Sequence, residues 1–467
     1  MTQAEKLAAF IAKARYDDLS PSARLQLKIR ILDALACALG ALGYPLIAQL
    51  RNHVDDLGGE GRCTLVGGGR TAPDRAAFYN SALVRYLDFN DSYLAKGETC
   101  HPSDNLGAVL AACDYAHRSG RDLLTALAVA YQVQCRLSDE APVRAKGFDH
   151  TTQGSYAVAA GVAKALGMEE TRTANAIAMC GTAFNALRVT RTGALSNWKG
   201  LAYANTAFGC THATLLAMRG ITGPLEVFEG NKGFIDSIAG HFEIDWDGEN
   251  LERVTETILK KYNAEIHSQS AIEGVLELKQ QYGLTGHEVE QVDIEIFDVA
   301  FHIIGGGEEG DKRVVRTKEE ADHSLPYLVS VALLDGQVMP AQFSPARING
   351  DDVQKLMRKV RVTPVERFSR SFPRELPCRV ALGLHDARTL SIEKRGYPGF
   401  LTEPAVWDTV AGKFHALSEP HSTQSQREAI IETVRKLDEL PASQLTDLLG
   451  AIKPAPLDEE GVLLYGP

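Results

Sequence analysis

The sequence predicts a mainly α-helical protein, with a large helical domain and a smaller α/β domain inserted into it. At 467 residues the chain exceeds the length at which a single core keeps growing, so two domains are expected. Apolar residues recur at helical spacing in the first half and again from Glu403, whereas near residue 265 the pattern changes to predicted strands with helices between them. The predicted bounds are 1–264 and 400–467 for the helical domain and 265–399 for the α/β domain.

The helices of the first half carry recognisable start signals and apolar faces. Ser20 and Pro21 supply an N-cap and a first-turn proline, and apolar residues from Leu25 to Leu39 then recur at helical spacing. Alanine and glycine are frequent in several later segments, which predicts helices that pack closely on one another. The further helices predicted here are 73–85, 106–116, 121–141, 155–166, 171–183 and 199–219.

Alternation with a period of two marks the inserted domain. Val289–Phe297 alternates apolar and polar residues as a half-buried strand does. Further strands are predicted at 360–362, 379–384 and 389–394, and helices at 269–282, 325–334 and 351–360. Helical spacing returns at 404–417, 424–437 and 442–449, and these helices could rejoin the N-terminal bundle.

Composition and spacing exclude several classes of protein. A formal net charge of −11 argues against a nucleic-acid partner, although a local basic pocket can still hold a polyanionic substrate. The eight cysteines show no C-x-x-C spacing, so we expect no zinc or iron–sulfur site, and reduced buried thiols in a cytoplasmic protein. The N-terminus does not resemble a secretory signal, and no apolar run approaches membrane-spanning length. Gly305–Gly307 lacks nucleotide-binding spacing and is interpreted as a mobile loop.

The polar connection between the helices predicted at 73–85 and 106–116 is the most informative segment. His101 precedes a proline and is biased toward extended backbone, and its imidazole could transfer protons near neutral pH. Asp88 and Asp91 could accept protons or bind a cation, and Ser103 or Asp104 could cap the next helix. The alternative is structural, with the aspartates capping a loop and His101 satisfying a backbone carbonyl.

Three further polar clusters supply candidate residues. His150 lies between two predicted helices. A Gly/Ser/Asn-rich loop carries guanidinium groups, which hold carboxylates well, although a solvated basic loop is the alternative. The cations on or beside this loop are Arg188, Arg191 and Lys199. The segment from Lys260 to Gln269 lies where the helical pattern gives way to strands, and small-molecule sites favour such boundaries. A lone histidine there, His267, is more often structural.

The chain resembles the MmgE/PrpD family, which includes 2-methylcitrate dehydratases, along nearly its whole length. The motifs that carry the resemblance are ILDALACALGAL (31–42), DFNDSYLAKGETCHPSDNLG (88–107), GFDHTTQGSYAVAAGVAKALG (147–167), NWKGLAYANTAFGC (197–210), YNAEIHSQSAIE (262–273) and DHSLPYLVSVALLDG (322–336). This resemblance implies a large helical domain completed by the C-terminal helices, with an inserted α/β lid domain. It also implies a homodimer that needs no metal, cluster or other cofactor.

The resemblance also assigns roles to particular residues. The catalytic residues that it implies are Asp88, His101, His150, Lys199, Lys260 and Tyr327. The residues expected to bind substrate are Ser92, Arg188, Arg191 and His267. Ser92 stands where threonine is common and keeps a hydroxyl, whereas Ile266 replaces an aromatic residue beside His267. Lys199 and Lys260 are expected to stabilise charge from opposite walls of a cleft between the domains, and solvated surface lysines are the alternative.

The implied activity is dehydration of a small hydroxy-polycarboxylate, such as 2-methylcitrate to 2-methyl-cis-aconitate, or citrate. The motifs HPSDNLG and AEIHSQSA look like the dehydratase branch of the family, whereas the decarboxylase branch more typically has HPSG. The motif NWKG departs from the dehydratases, which tend to have lysine before the tryptophan, so the exact substrate stays open. The alternatives are decarboxylation of cis-aconitate, epimerisation of iminodisuccinate, and non-catalytic polycarboxylate binding.

Overall fold

The computed structural model describes residues 1–455, and these residues form two large hydrophobic cores. The first core joins buried residues between Ala4 and Leu259 with others between Val410 and Ile452. The second core lies between Ile258 and Phe400. The predicted fold class, mainly helical with a small α/β portion, is confirmed. The bounds 1–264, 265–399 and 400–467 remain a proposal, and residues 456–467 of the last segment lie outside the described part of the chain.

The first core is built from helices that begin close to their predicted positions. In the helix Pro21–Gly40 the Ser20 hydroxyl accepts a hydrogen bond from the Ala23 amide at 3.0 Å, and Pro21 takes the first helical position, as expected. The helices before the inserted domain are α1 (Gln3–Lys13), α2 (Pro21–Gly40), α3 (Pro45–Leu57), α4 (Pro73–Tyr86), α5 (Leu106–Tyr115), α6 (Gly120–Glu140), α7 (Thr151–Leu166), α8 (Glu170–Ala183) and α9 (Trp198–Met218).

Glycine allows close contacts between these helices near the loop that joins α4 and α5. A Cβ on Gly107 in α5 would lie 2.3 Å from the Ser81 amide nitrogen of α4. A Cβ on Gly154 in α7 would lie 2.6 Å from the Tyr203 ring of α9. Since real Cβ atoms do not approach so closely, both positions need glycine, and larger residues would force the helices apart.

The second core packs helices on a four-stranded sheet. The strands are β1 (Val289–Ile296), β2 (Val360–Pro364), β3 (Cys378–Leu384) and β4 (Thr389–Lys394). Their order is β2-β1-β3-β4, with β1 parallel to β2 and antiparallel to β3, so Val292 lies opposite both Val360 and Leu382. The longer helices of this region are α10 (Gln269–Tyr282), α11 (Leu325–Asp335) and α12 (Asp351–Met357), and shorter turns occupy Asp298–Ala300, Lys318–Ala321, Pro345–Ile348 and Glu366–Ser369.

The chain then returns to the first core. The last helices are α13 (Trp407–Ser418), α14 (Gln424–Arg435) and α15 (Ala442–Gly450). Helix α13 packs against α2, where a Cβ on Gly40 would lie 3.1 Å from Leu417. Because helices before and after residues 258–400 pack against each other, the second core is an insertion in the chain that forms the first core.

Two further features bear on the expectations from composition. All eight cysteines are buried and free, as predicted. Within residues 1–455 no single helix has the length and hydropathy needed to cross a membrane, although α2 and α3, bent by 93°, pass that test as a pair.

Candidate active site

The connection between α4 and α5 lies against the segment that leads into the second core. Asp88 follows α4 with a φ of 55°, a left-handed conformation that aspartate adopts more readily than most residues. Ser92 exchanges backbone hydrogen bonds with Ile258, at 2.9 Å and 2.8 Å. This pairing brings Lys260 beside Asp88, so the candidate site lies between the two cores.

The predicted cap of α5 by Ser103 or Asp104 is wrong. The residues before α5 form a 3₁₀ turn that continues directly into the helix, and no side chain caps it. The side chains of Ser103 and Asp104 instead accept hydrogen bonds from Asn90, each at 2.8 Å. The Asp91 carboxylate accepts the Ser103 amide at 3.0 Å and the Tyr131 hydroxyl at 2.7 Å, so Asp91 holds the loop in place.

Asp88 is surrounded by three cations. Its Oδ1 accepts hydrogen bonds from Lys260 at 2.6 Å and from Arg85 at 2.9 Å, and its Oδ2 lies 3.4 Å from Lys199 Nζ. Burial raises the pKa of Asp88, but Arg85, Lys260 and Lys199 outweigh it and hold that pKa well below its usual range. Asp88 is therefore an ionised carboxylate that cannot donate a proton near neutral pH.

The expected placement of the two lysines is wrong. Both ammonium groups bind the same carboxylate, so Lys199 and Lys260 do not stand on opposite walls of a cleft. The alternative of solvated surface lysines is also wrong, because the two residues are only 3% and 2% exposed. Any effect of Lys199 and Lys260 on the chemistry therefore passes through Asp88 or through its neighbours Asp322 and His323.

Asp322 and His323, which the sequence reasoning did not select, complete this charge cluster. Lys199 donates to Asp322 at 2.6 Å and lies 2.9 Å from His323 Nδ1, which is itself 2.7 Å from Asp322. One ligand atom each of Asp88, Asp322 and His323 lie within 4.8 Å of one another, which could suit a metal ion. The Lys199 ammonium already lies within 3.4 Å of all three residues and supplies a cation at that place.

His101 presents an uncharged imidazole. Its Nδ1–H donates to the Asp91 carbonyl at 2.8 Å, and Ser92 Oγ lies 3.1 Å from the same nitrogen. Because a carbonyl only accepts, Nδ1 carries the proton and Nε2 keeps its lone pair. Burial, helped by the charges of Arg85 and Lys260, lowers the pKa of His101 well below its usual value. The structural alternative, a carbonyl contact, is thus observed, and the same contact leaves Nε2 able to accept a proton.

His150 is a second neutral imidazole, placed immediately before α7. Its ring lies edge-on to His101, with centroids 5.4 Å apart, and stacks on Tyr203 at 6.4 Å. Burial lowers the pKa of His150 to about 3, although Asp149 lies only 3.4 Å from Nδ1. Within residues 1–455 its buried Nε2 has no hydrogen-bond partner, so this nitrogen is available to a ligand.

His267 is paired with a carboxylate that the sequence reasoning did not select. Its Nδ1 lies 2.5 Å from Glu265 Oε1, and its amide donates to Glu265 Oε2 at 2.7 Å. Burial raises the pKa of Glu265, but His267 outweighs it and lowers that pKa to about 2. In the described structure the buried Nε2 of His267 has no partner. An ionised carboxylate therefore orients this imidazole, as in other acid–histidine pairs.

The arginines of the predicted basic loop are bound to acidic residues. Arg191 donates to Asp149 at 2.7 Å and to the Lys199 carbonyl at 3.0 Å, so its guanidinium is held inside the protein. Arg188 donates to Glu309 at 2.7 Å. A solvated basic loop is therefore wrong for these two side chains, which are 6% and 16% exposed, and their role in substrate binding stays a prediction.

Five of the predicted residues, His101, His150, Arg188, Arg191 and His267, line one cavity between the cores, with a volume of about 40 Å³. Its lining consists of Arg85, Glu98, Thr99, His101, Arg144, His150, Arg188, Arg191, Glu265, His267, Ile303, Glu309 and His323. Larger cavities, of about 270 to 570 Å³, lie elsewhere and are lined by no histidine. Because proton-transfer chemistry needs titratable groups, the small histidine-lined cavity is the candidate active site.

The other five predicted residues lie outside this lining: Asp88, Lys199 and Lys260, which belong to the charge cluster described above, and Tyr327 and Ser92. The Tyr327 hydroxyl donates to the Gln342 carbonyl in the second core, and its ring packs against Phe343. Burial raises the pKa of Tyr327, so its hydroxyl stays protonated. Ser92 contacts the Nδ1 side of His101. The catalytic role of Tyr327 and the binding role of Ser92 stay predictions.

The geometry suits proton transfer on a small anion. Neutral imidazoles offer lone pairs at His101 and His150, while a carboxylate-paired imidazole lies at His267. Guanidinium groups of Arg144 and Arg188 reach the same cavity, and they can hold carboxylates of a bound molecule.

Sequence comparison accounts for most of the chain. The model of the MmgE/PrpD N-terminal domain matches residues 5–247, and that of the MmgE/PrpD C-terminal domain matches residues 262–439. The gap between the two matches contains Ile258 and Lys260, where the chain passes from the first core to the second.

Curated relatives are similar over most of their length. The chain is 30% identical to 2-methylcitrate dehydratase of Cupriavidus necator over 72% of each chain. It is 28% identical to 2-methylcitrate dehydratase of Escherichia coli K12 over 71% of each. It is 26% identical to cis-aconitate decarboxylase of Mus musculus, over 95% of this chain and 93% of that one.

Proposed function

Because this chain belongs to the MmgE/PrpD family, we propose that it is a hydro-lyase that dehydrates a small hydroxy-polycarboxylate without a cofactor. The first candidate substrates are 2-methylcitrate, which would give 2-methyl-cis-aconitate, and citrate. The names of its relatives from Cupriavidus necator and Escherichia coli support a dehydratase.

One observation carries the proposal: His101 holds an unprotonated Nε2 in a cavity that guanidinium groups also reach. Dehydration next to a carboxylate begins with removal of a carbon-bound proton, which needs a base in its unprotonated form. The negative charge that then develops on the carboxylate needs cations already in place. A binding protein would need the cations but not the base, so the neutral imidazole favours an enzyme.

In the proposed mechanism His101 Nε2 takes the proton from the carbon α to a carboxylate. The C–OH bond breaks as the double bond forms, and the departing hydroxyl takes a proton from His267, so that water leaves. The Glu265 carboxylate, 2.5 Å from Nδ1, orients the His267 ring for this step. Arg144 and Arg188 hold the substrate carboxylates, and the ionised Asp88 with its three cations fixes the adjacent loop.

Decarboxylation of cis-aconitate is the second candidate. It is supported by the extent of similarity to the Mus musculus decarboxylase, which covers 95% of this chain. This reaction also builds charge beside a carboxylate, so the same cations serve it. The two candidates differ in their products, since only decarboxylation releases carbon dioxide.

Incubation of the purified protein with 2-methylcitrate, citrate, cis-aconitate and iminodisuccinate tests the proposal. Ultraviolet absorbance would detect the unsaturated product, and proton NMR would identify each product. We expect water elimination from 2-methylcitrate or citrate, with no loss of carbon dioxide. If cis-aconitate alone reacts and releases carbon dioxide, decarboxylation takes the place of dehydration as the proposed function. No reaction with any of the four compounds would refute both functions.

We further propose a homodimer, as the family resemblance implies. The outer face of α9 supports it, because Trp198, Phe208 and Leu216 are 48%, 37% and 37% exposed there. Light scattering after size-exclusion chromatography should give twice the chain mass. Phe208→Glu should shift the protein toward monomer, whereas Leu25→Glu, at an exposed position in α2, should not. A monomeric parent would contradict the proposal.

A further inference from the structure

Glu309 places a carboxylate inside the candidate active site. Its Oε1 accepts hydrogen bonds from Arg188 at 2.7 Å and from Arg144 at 3.2 Å, and its side chain is 5% exposed. Its Oε2 is buried and has no hydrogen-bond partner in the described part of the chain. Two cations thus bind one oxygen, while the other oxygen bears the cost of burial without compensation. This half-satisfied arrangement calls for a physical explanation.

The space beside Glu309 is too small for a polycarboxylate. The cavity of about 40 Å³ has room for roughly one water molecule, whereas pockets for small molecules measure roughly 300 Å³ or more. Among the neighbouring residues, Arg191 and His267 are held by buried carboxylates, and His150 immediately precedes α7. Something in the lining must therefore move before a tricarboxylate can enter, and Glu309 lies in a turn that follows a π-helical segment.

The segment that carries Glu309 is rich in glycine and has space behind it. It follows a π-helical turn, Phe301–Gly305, and the φ angles of Gly306 and Gly310 are 103° and 94°, which glycine adopts without strain. Its far side borders a second cavity of about 480 Å³, whose lining includes Gly305–Gly307, Gly310 and Asp311. The Glu309 side chain can therefore leave the arginines by local backbone rotation into open space.

We propose that Glu309 is an internal stand-in for a substrate carboxylate, and that Arg144 and Arg188 form a carboxylate subsite. In the structure Glu309 occupies this subsite. A substrate carboxylate displaces it, and the segment 305–310 withdraws toward the second cavity. This inference rests on the proposed function, because it needs a polycarboxylate ligand. It also predicts that competition from Glu309 weakens the apparent affinity of every ligand of the subsite.

Binding of tricarballylate tests this proposal without turnover, because tricarballylate is a tricarboxylate that has no hydroxyl to eliminate. In isothermal titration calorimetry, Glu309→Gln should bind it about tenfold more tightly than the parent, since the competing charge is gone. Glu308→Gln is the matched control, because Glu308 is the exposed neighbour in the same segment, and it should bind like the parent. The double variant Arg188→Gln, Glu309→Gln should not show the tighter tricarballylate binding of Glu309→Gln.

A second measurement uses the unmodified protein, so it does not depend on the folding of a variant. Tricarballylate should raise amide hydrogen exchange at residues 305–310, because the segment leaves its packed position. Unchanged or slower exchange there would overturn the proposal. So would equal or weaker binding by Glu309→Gln, an equal gain in Glu308→Gln, or no binding by either protein. Tighter binding by Glu309→Gln in a protein that dehydrates none of the candidate substrates would remove the proposed function and keep the subsite.

Discussion

Replacing Lys260 by methionine should destabilise the protein strongly, because it removes a buried ammonium group that pairs with the Asp88 carboxylate. The ammonium donates to the Asp88 carbonyl at 2.7 Å and to Oδ1 at 2.6 Å. Breaking a buried ion pair by removing one partner costs roughly 3–5 kcal/mol. Since Asp88 keeps Arg85 at 2.9 Å and Lys199 at 3.4 Å, its charge is not left alone. We therefore expect the lower end of that range, about 3 kcal/mol.

Urea unfolding measures this loss, provided that the free energy of unfolding falls with urea concentration at the same slope in parent and variant. Lys261→Met is the matched control, because Lys261 is the next residue but is 38% exposed and pairs with Glu273. That surface pair should contribute only about 0–1 kcal/mol. Asp88→Asn combined with Lys260→Met should lose less than the sum of the single losses, since the two groups interact. Equal losses from Lys260→Met and Lys261→Met would refute the role assigned to the buried pair.

Three further predictions concern pH, Tyr327 and metal ions. The pKa of His150 is about 3 in the folded protein and 6.5 as its ordinary value, so the unfolded chain binds more protons between these limits. The free energy of unfolding should therefore fall as pH drops from 6.5 toward 3. In His150→Gln the dependence of this free energy on pH should be shallower, by up to about 1.4 kcal/mol per pH unit. The same pH dependence in parent and variant, measured from unfolding curves, would contradict this. Tyr327→Phe removes a hydrogen bond to Gln342, which should cost about 1 kcal/mol of stability. The predicted catalytic role of Tyr327 requires that this change also lower turnover by about 10²-fold or more, and turnover within about threefold of the parent would contradict that role. Dialysis against a strong chelator should leave turnover unchanged, since Lys199 supplies the cation among the acidic groups; recovery of lost activity by iron or magnesium would contradict this.

Local signals in the sequence were enough to predict most of the fold. The Ser20–Pro21 pair sets the start of α2, and alternation in Val289–Phe297 gives a strand that differs by one residue from β1. The predicted helix at 351–360 ends at Met357, because Val360 already pairs with Val292 in the sheet. Helix α7 begins four residues before its prediction, since Thr151 and Thr152 are buried there although their polarity breaks the apolar pattern.

The candidate site was predictable only in part, because tertiary contacts decide which charges meet. The sequence selects Asp88, Lys199 and Lys260 separately, but only the pairing of Ser92 with Ile258 puts the lysines on one carboxylate. Asp322 and His323 fall within a quoted motif, yet no local spacing shows that they contact a lysine more than a hundred residues earlier. Similarly, Glu309 follows a glycine run that looked like a simple loop, and its partners come from distant segments.

A comparison of the parent with His101→Gln tests whether His101 is the proton acceptor of the reaction. The measurement is kcat/KM on whichever of 2-methylcitrate and citrate is the better substrate, together with the Kd of tricarballylate. His385→Gln, at a position 57% exposed and outside both the cavity lining and α9, is the control. The account predicts that His101→Gln lowers kcat/KM by roughly 10²–10⁴-fold with an unchanged Kd, because it removes the base and keeps the arginines. A kcat/KM within about threefold of the parent would contradict the assignment of His101 as the proton acceptor.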